Sequence, residues 1–295
     1  MFSIIICSIS PERLQSLEIN ISQTIGVEYE IIAIDNRERK WPIAKAYNYG
    51  ASLARYSNLL FLHEDVSFHS EKWGEFIESK LAEPDCGIIG AVGGKIMLNS
   101  YSGWNQYYEW VCCYLYQNAA GLSRFDVCNA YLQRPFEEVV TVDGLAMFVR
   151  KEVWSQFPFD ENMLQGFHCY DIDFSLQVFS SKYYKNYICC SNRVLLEHFS
   201  SGTYNEQWFS ETVRLYKNKW NKLLPFAVKG WHIGDKERKK HEERLSYEFL
   251  KGILKSSSPY KKVILKEFWQ RPLNWKHFRR CVACTFKYLI RTGSN

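Results

Sequence analysis

Short apolar runs recur along the first part of the chain with helix-like segments between them: FSIIICSI, YEIIAID, NLLFLHED and CGIIGAVGG, each bounded by Gly, Pro, Asp, Asn or Ser. Alternation of this kind predicts an α/β fold whose mainly parallel sheet is flanked by helices. Between the first two runs, residues 11–25 place Leu14, Leu17, Ile21 and Ile25 near helical spacing and stop at Gly26. Between the second and third, residues 42–55 read as another helix, with Ile43, Ala46, Tyr47, Gly50, Ala51 and Ala54 forming a small-residue packing face. The first 65 residues therefore read β-α-β-α-β.

With 295 residues, 46% of them hydrophobic and 16% aromatic, the chain can bury one large core or two small ones, which excludes disorder as its default state. The opening MFSIIICSISPERL holds an apolar run too short for a signal peptide or a membrane span, with no basic stretch before it, so the expected location is the cytoplasm. Ten cysteines fall as adjacent pairs (Cys112 with Cys113, Cys189 with Cys190), as single residues in apolar stretches, and as one Cys281-x-x-Cys284. That scatter suits buried thiols rather than a disulfide framework, and without a second CxxC the last pair marks a helix face rather than a zinc site. The net charge of +5 is uneven: residues 236–295 carry 16 Lys or Arg against 5 Asp or Glu, while residues 1–235 carry 21 against 27.

Residues 99–138 are rich in aromatics and poor in clear periodicity, as expected of a long excursion from the sheet that shapes a cleft. VVTVDGLAMFVRKEVW then alternates before a helix that starts near Arg150 and Lys151. GFHCYDIDFSLQVF reads as a loop feeding a helix, and YICCSNRVLLEHF as a strand or two. From about residue 205 the pattern is helical and charged, with a break at Ser256-Ser257-Ser258-Pro259. The expected organisation is a core over residues 1–230 and a basic helical extension over 231–295.

Open α/β sheets bind ligands at their carboxyl edge, and Asp35, Asp65, Asp171 and His198 stand at such expected strand ends. The run Leu59 to Leu62 ends in His63-Glu64-Asp65, and strand alternation puts His63 and Asp65 on the same side. A carboxylate with an imidazole suits Mn²⁺ or a similar ion, and a departing diphosphate needs one. The plainer alternative for each acidic residue is a cap or a turn, and for His198 a packed or surface imidazole.

The succession of SIIICSIS, EIIAIDN, IAKAYNYGASLARYSNLLFLHEDV, VDGLAMFVRKEVW and YDIDFSLQV resembles the family 2-like glycosyltransferases of GT-A fold, over about residues 1–205 in matching order. The resemblance implies a Rossmann-like GT-A core with a helical C-terminal extension. It also implies transfer of a sugar, inverting in the family's manner, from a nucleotide-sugar donor such as a UDP-sugar to a glycan or lipid-linked acceptor, within polysaccharide biosynthesis. Asp65 occupies the place of the last Asp of the family's DxD motif, a ligand of Mn²⁺ or Mg²⁺, and His198 that of a late metal-binding histidine. His63 stands where many members have Asp. Asp171 matches the general base of the family's Glu-Asp pair, with Tyr170 in place of the Glu. Ser8, Asp35, Lys45, Asn48, His63, Glu64, Asp143 and Gly144 fall at positions that line the nucleotide-sugar, and Ser200, Ser201 and Gly202 in a loop that could close over it.

Two other classes remain open on these residues. Nucleotidyl transfer to a sugar phosphate would need a Gly-rich basic loop after the first strand, which CSISPERLQS lacks. A carbohydrate- or partner-binding protein that kept the fold without the chemistry would tolerate His63 and Tyr170. For the basic, aromatic tail, contact with the inner face of a membrane and a solvated helical face stand side by side, and no nucleic-acid reader motif is present.

Overall fold

The computed structural model describes residues 1–295 except 120, 131–132, 201, 203, 271–273 and 293–295, so Ser201 lies outside the described residues. Strand β1 (Phe2–Ser8) leads through α1 (Pro11–Thr24) to β2 (Tyr29–Asp35). A short helix α2 (Asn36–Arg39), then α3 (Ile43–Leu53), leads to β3 (Asn58–Leu62), giving the β-α-β-α-β order expected from the apolar runs. Ser10 caps α1 by accepting the Arg13 N–H, Pro11 takes the first helical position, and Gly26 at φ 73 turns the chain out after Ile25. The small-residue face of α3 lies on β1: a Cβ on Gly50 would stand 2.4 Å from Ile5 Cγ2, so only glycine lets the helix pack this close.

After β3 come β4 (Val66–Phe68), α4 (Trp73–Leu81), β5 (Cys86–Gly90), β6 (Val92–Gly94), β7 (Ile96–Met97), β8 (Val111–Ala119) and β9 (Leu122–Cys128). There follow β10 (Phe136–Val139), β11 (Thr141–Val142), β12 (Ala146–Arg150), α5 (Lys151–Gln156), α6 (Tyr170–Ser180), β13 (Lys185–Cys189) and β14 (Leu196–His198). Among the described residues the central sheet has seven strands in the order β10-β13-β5-β12-β3-β1-β2. β1 is parallel to β2 and β3, and β13 to β5, whereas β12 runs antiparallel between β3 and β5, and β10 antiparallel to β13. The sheet is therefore mixed, with helices packed on it, as in a GT-A-like fold. Phe2, Trp73 and Phe148 meet in its core, where the Trp73 ring also stacks on Phe68 at 4.2 Å.

A second sheet has the order β11-β6-β8-β14-β4 with β9 on β8, and its strands β8 and β9 lie in the region read as an aromatic excursion. There β8 and β9 pair antiparallel instead of forming irregular chain, with Tyr114 and Tyr116 packing on Phe125 of the partner strand. The chain steps from the first sheet into the second at residues 63–65, at Ala91, at Val140 and over residues 190–195. The first of these steps is the His63-Glu64-Asp65 segment.

The chain divides into two compact units. The first comprises Met1–Met97, Trp104–Gly202 and Phe226–Trp231, and holds both sheets. The second comprises Leu98–Gly103, Thr203–Pro225 and His232–Asn295. Its helices α7 (Glu206–Leu215), α8 (Asp235–Ile253), α9 (Lys261–Trp269) and α10 (Trp275–Thr292) enclose a core of Phe209, Val213, Phe249, Leu250, Ile264 and Phe268. Cys281 and Cys284 enter that core from one face of α10, as buried side chains of the helix.

Candidate active site

Strand pairing assembles the site. β4 and β14 run antiparallel with His198 opposite Val66, and the Phe199 N–H donates to the Asp65 carbonyl at 2.9 Å, so the two strand ends bring Asp65 and His198 together. The Asp65 carboxylate lies 3.7 Å from His198 Nε2 and 3.9 Å from His63 Nδ1. One potential ligand atom from each of His63, Asp65 and His198 lies within 4.8 Å of the other two, the one such group among the described residues. All three side chains are mostly buried.

Each imidazole is oriented from behind. The Gln117 amide donates to the carbonyls of His198 and Ser200, at 3.2 and 2.6 Å, which leaves its Oε1 to accept from His198 Nδ1–H at 3.3 Å. The His198 Nε2, on the side of Asp65, then accepts from the Ser200 hydroxyl at 3.1 Å, a bond that an ion at Nε2 would replace. A hydrogen bond of 2.6 Å between His63 Nε2 and the Tyr170 hydroxyl turns Nδ1 toward Asp65, and an ion at Nδ1 would require the tautomer in which Nε2–H donates. Burial holds the His63 pKa below the ordinary imidazole value, so the ring is neutral at pH 7 and has a lone pair to give. Two imidazoles and a carboxylate are a donor set for Mn²⁺ or a neighbouring transition ion. Mg²⁺, which favours oxygen ligands, suits it less well.

Glu64 points the other way. Its Oε2 accepts from Ser8 Oγ at 2.6 Å and from the Ile9 and Ser10 N–H groups at 3.1 Å, pinning the turn after β1. Ser8 and Glu64 are thus each other's partners at the carboxyl edge.

The turn between β11 and β12 stands beside His63, whose N–H donates to the Leu145 carbonyl at 3.0 Å. In that turn Asp143 accepts from Trp104 Nε1 at 2.8 Å and from the Leu145 N–H at 2.9 Å. A Cβ on Gly144 would meet the Tyr170 hydroxyl at 2.1 Å and its ring carbons at 2.5 and 2.8 Å. The close approach that this glycine permits is therefore made by Tyr170. Gly144→Ala is expected to push Tyr170 off His63, costing about 1–3 kcal/mol and weakening Mn²⁺ binding. Thermal melts and Mn²⁺ titration check it; a variant that matches the parent in both would show that Tyr170 does not position His63.

Asp171 lies in the first turn of α6, which the chain enters through Cys169 at φ 64, the left-handed region. Desolvation, then the charge of Asp143, pushes its carboxyl up to about 7, against the opposing pull of the Ile172 and Gly144 N–H groups. A carboxyl with that value at a helix start can take a proton near neutral pH. Asp173 on the same turn is buried and accepts from Gln177 Nε2 at 3.0 Å.

The remaining candidates are placed differently. Asp35 ends β2 in register with Ser8, is exposed, and caps α2 while pairing with Arg37, which holds its carboxyl down to about 2. Lys45 is exposed, its ammonium 4.8 Å above the Trp41 ring. Asn48 spends its amide inside the protein, donating to the Phe159 carbonyl at 2.8 Å and accepting from the Phe159 N–H and Trp154 Nε1 at 3.1 and 3.2 Å. Arg150 and Lys151 stand where β12 passes into α5, donating to the carbonyls of Glu83, Pro84 and Ala54. Residues that the sequence reading passed over complete the site: Gln117, Trp104, and Phe167, whose ring lies 5.7 Å from that of His63. Gln117 and Trp104 fell in the aromatic stretch, where nothing in the spacing marked them.

No curated protein matches the chain. Among solved structures, one described as "Crystal Structure of A197 from STIV" aligns with a TM-score of 0.40 at 16% identity, covering 68% of this chain and 86% of that one, a likeness too slight to build on. The family described as "Glycosyltransferase like family" matches residues 3–247, a span that includes every site residue above, and the chain belongs to that family.

Proposed function

We propose that the chain is a metal-dependent glycosyltransferase that moves a sugar from a nucleotide-diphosphate donor, UDP-linked by the family resemblance, to a hydroxyl of a glycan or lipid-linked acceptor. The convergence of His63, Asp65 and His198 carries this reading. These residues would hold a divalent ion, which supplies positive charge against the departing diphosphate. Gln117 and Tyr170 fix the ring orientations needed to hold it.

Asp171 is the base in this scheme. Its carboxylate removes the acceptor proton while the Gly144 and Ile172 N–H groups keep it aimed. Attack on the face opposite the leaving group gives inversion at the sugar carbon. Asp35 and Ser8, side by side at the ends of β2 and β1, are proposed to receive the nucleoside, with Lys45 and Trp41 at the margin. Asp35 would have to exchange Arg37 for a ligand hydroxyl or N–H to do so.

The test is a panel of nucleotide-sugars incubated with the protein and either Mn²⁺ or Mg²⁺. The two imidazoles predict turnover of at least one donor, with Mn²⁺ supporting a rate about tenfold or more above Mg²⁺ at equal concentration. Equal rates with both ions would remove His63 and His198 from the metal set. Saturable donor binding with no turnover of any donor would instead favour a binding protein built on the transferase fold.

A further inference from the structure

Helix α10 buries one face and leaves the other apolar. His277, Cys281 and Cys284 are buried. His277 is tied to the Phe268 carbonyl at 2.8 Å, and Arg280 to Glu243 at 2.6 Å, which fixes the rotation of the helix. At the helical spacing opposite these residues, Trp275, Phe278, Val282 and Phe286 are 73, 40, 47 and 66% exposed, and Leu289 and Ile290 continue the stripe at 58 and 54%. A stripe of this size is more than a solvated helix face carries by chance.

Its flank has a definite charge. Lys276, Arg279 and Lys287 lie along one side of the stripe, and no acidic residue occurs in the sequence after Glu267. Trp275 stacks on Phe278, which meets Trp269 edge-on, so aromatic rings gather at one end of the stripe. Apolar bulk, a one-sided basic row and indole rings together match the chemistry of an anionic lipid headgroup layer above acyl chains. A second copy of the helix would bring cation against cation, which argues against self-pairing. Nucleic acid would use the cations and leave the apolar stripe in water. Among the described residues no helix is long and apolar enough to cross a membrane, so contact would be with the surface.

We propose that the outer face of α10 is a docking surface for an anionic lipid bilayer, engaged by the stripe from Trp275 to Ile290 and its basic row. The proposal does not rest on the sugar-transfer reading and would survive its failure. The test is co-sedimentation of the full chain with phosphatidylcholine vesicles containing or lacking phosphatidylglycerol. Binding is expected to require the anionic lipid and to weaken with salt. It should fall by about tenfold or more in Val282→Glu/Phe286→Glu, with an unchanged melting temperature because both side chains are exposed. Lys276→Glu/Lys287→Glu should weaken it and flatten the salt dependence. The proposal is overturned if neither vesicle binds, or if Val282→Glu/Phe286→Glu binds like the parent. It is equally overturned by a solution dimer that Phe286→Glu dissociates, or by duplex DNA binding tighter than vesicle binding and indifferent to the stripe variant.

Discussion

Asp65→Asn is expected to lower kcat/KM for sugar transfer by about a thousandfold or more, equivalent to ~4 kcal/mol, and to weaken Mn²⁺ binding by about a hundredfold. The carboxylate is the negative member of the donor set, facing His198 at 3.7 Å and His63 at 3.9 Å, and its loss removes the one group there that can offset a cation's charge. Folding should be little affected. The backbone carbonyl of Asp65, which accepts from Phe199, keeps β4 on β14 whatever side chain is present. Calorimetric titration with MnCl₂ and a donor-consumption assay check both effects. A variant that keeps ion affinity and turnover within threefold of the parent would end the metal role of this cluster.

Asp171→Asn should separate catalysis from stability. As the base, Asp171 must be ionised, so kcat/KM of the parent is expected to rise with pH through about 7, and the Asn variant to fall by about a thousandfold without such a rise. The same burial that raises the carboxyl's pKa makes the ionised form costly to the fold. Its folded value lies above that of the unfolded chain, near 3.9, so the native state holds the proton longer and loses stability as pH climbs from about 4 to about 7. Asn carries no charge. The variant should therefore gain on the order of 4 kcal/mol over the parent at pH 8 relative to pH 4. Urea titrations at the two pH values measure the difference, and a destabilised variant at pH 8 would show that the carboxylate is well accommodated where it lies.

The sequence was most legible where one element decides the outcome. Continuous apolar β1, the Pro11 start and Gly26 stop of α1, and the small face of α3 are local signals, and each is present in the structure. Asp65 and His198 could be marked as strand ends for the same reason. Their meeting could not be read locally, because it depends on pairing between β4 and β14, three-residue strands far apart in the chain. The direction of β12 was equally hidden: alternation reports which face is buried and says nothing of which way the strand runs. Polar residues misled where packing claimed them. Asn48 looks like a ligand contact on a helix, yet its amide ties α3 to the backbone of Phe159. Gly144 reads as room for a substrate, and the room is taken by a phenol.

The tripeptide between β3 and β4 has a further consequence. Its middle carboxylate grips the turn at Ser8 to Ser10, while the residues before and after it face His198. Two jobs thus hang on one short, doubly anchored span. Inserting or deleting a single residue there would loosen both anchorages at once, because the Glu64 grip on the turn and the approach of His63 and Asp65 to His198 are set by the same three residues. Point changes that retune either end are open to selection or to an engineer, whereas changes in its length are not.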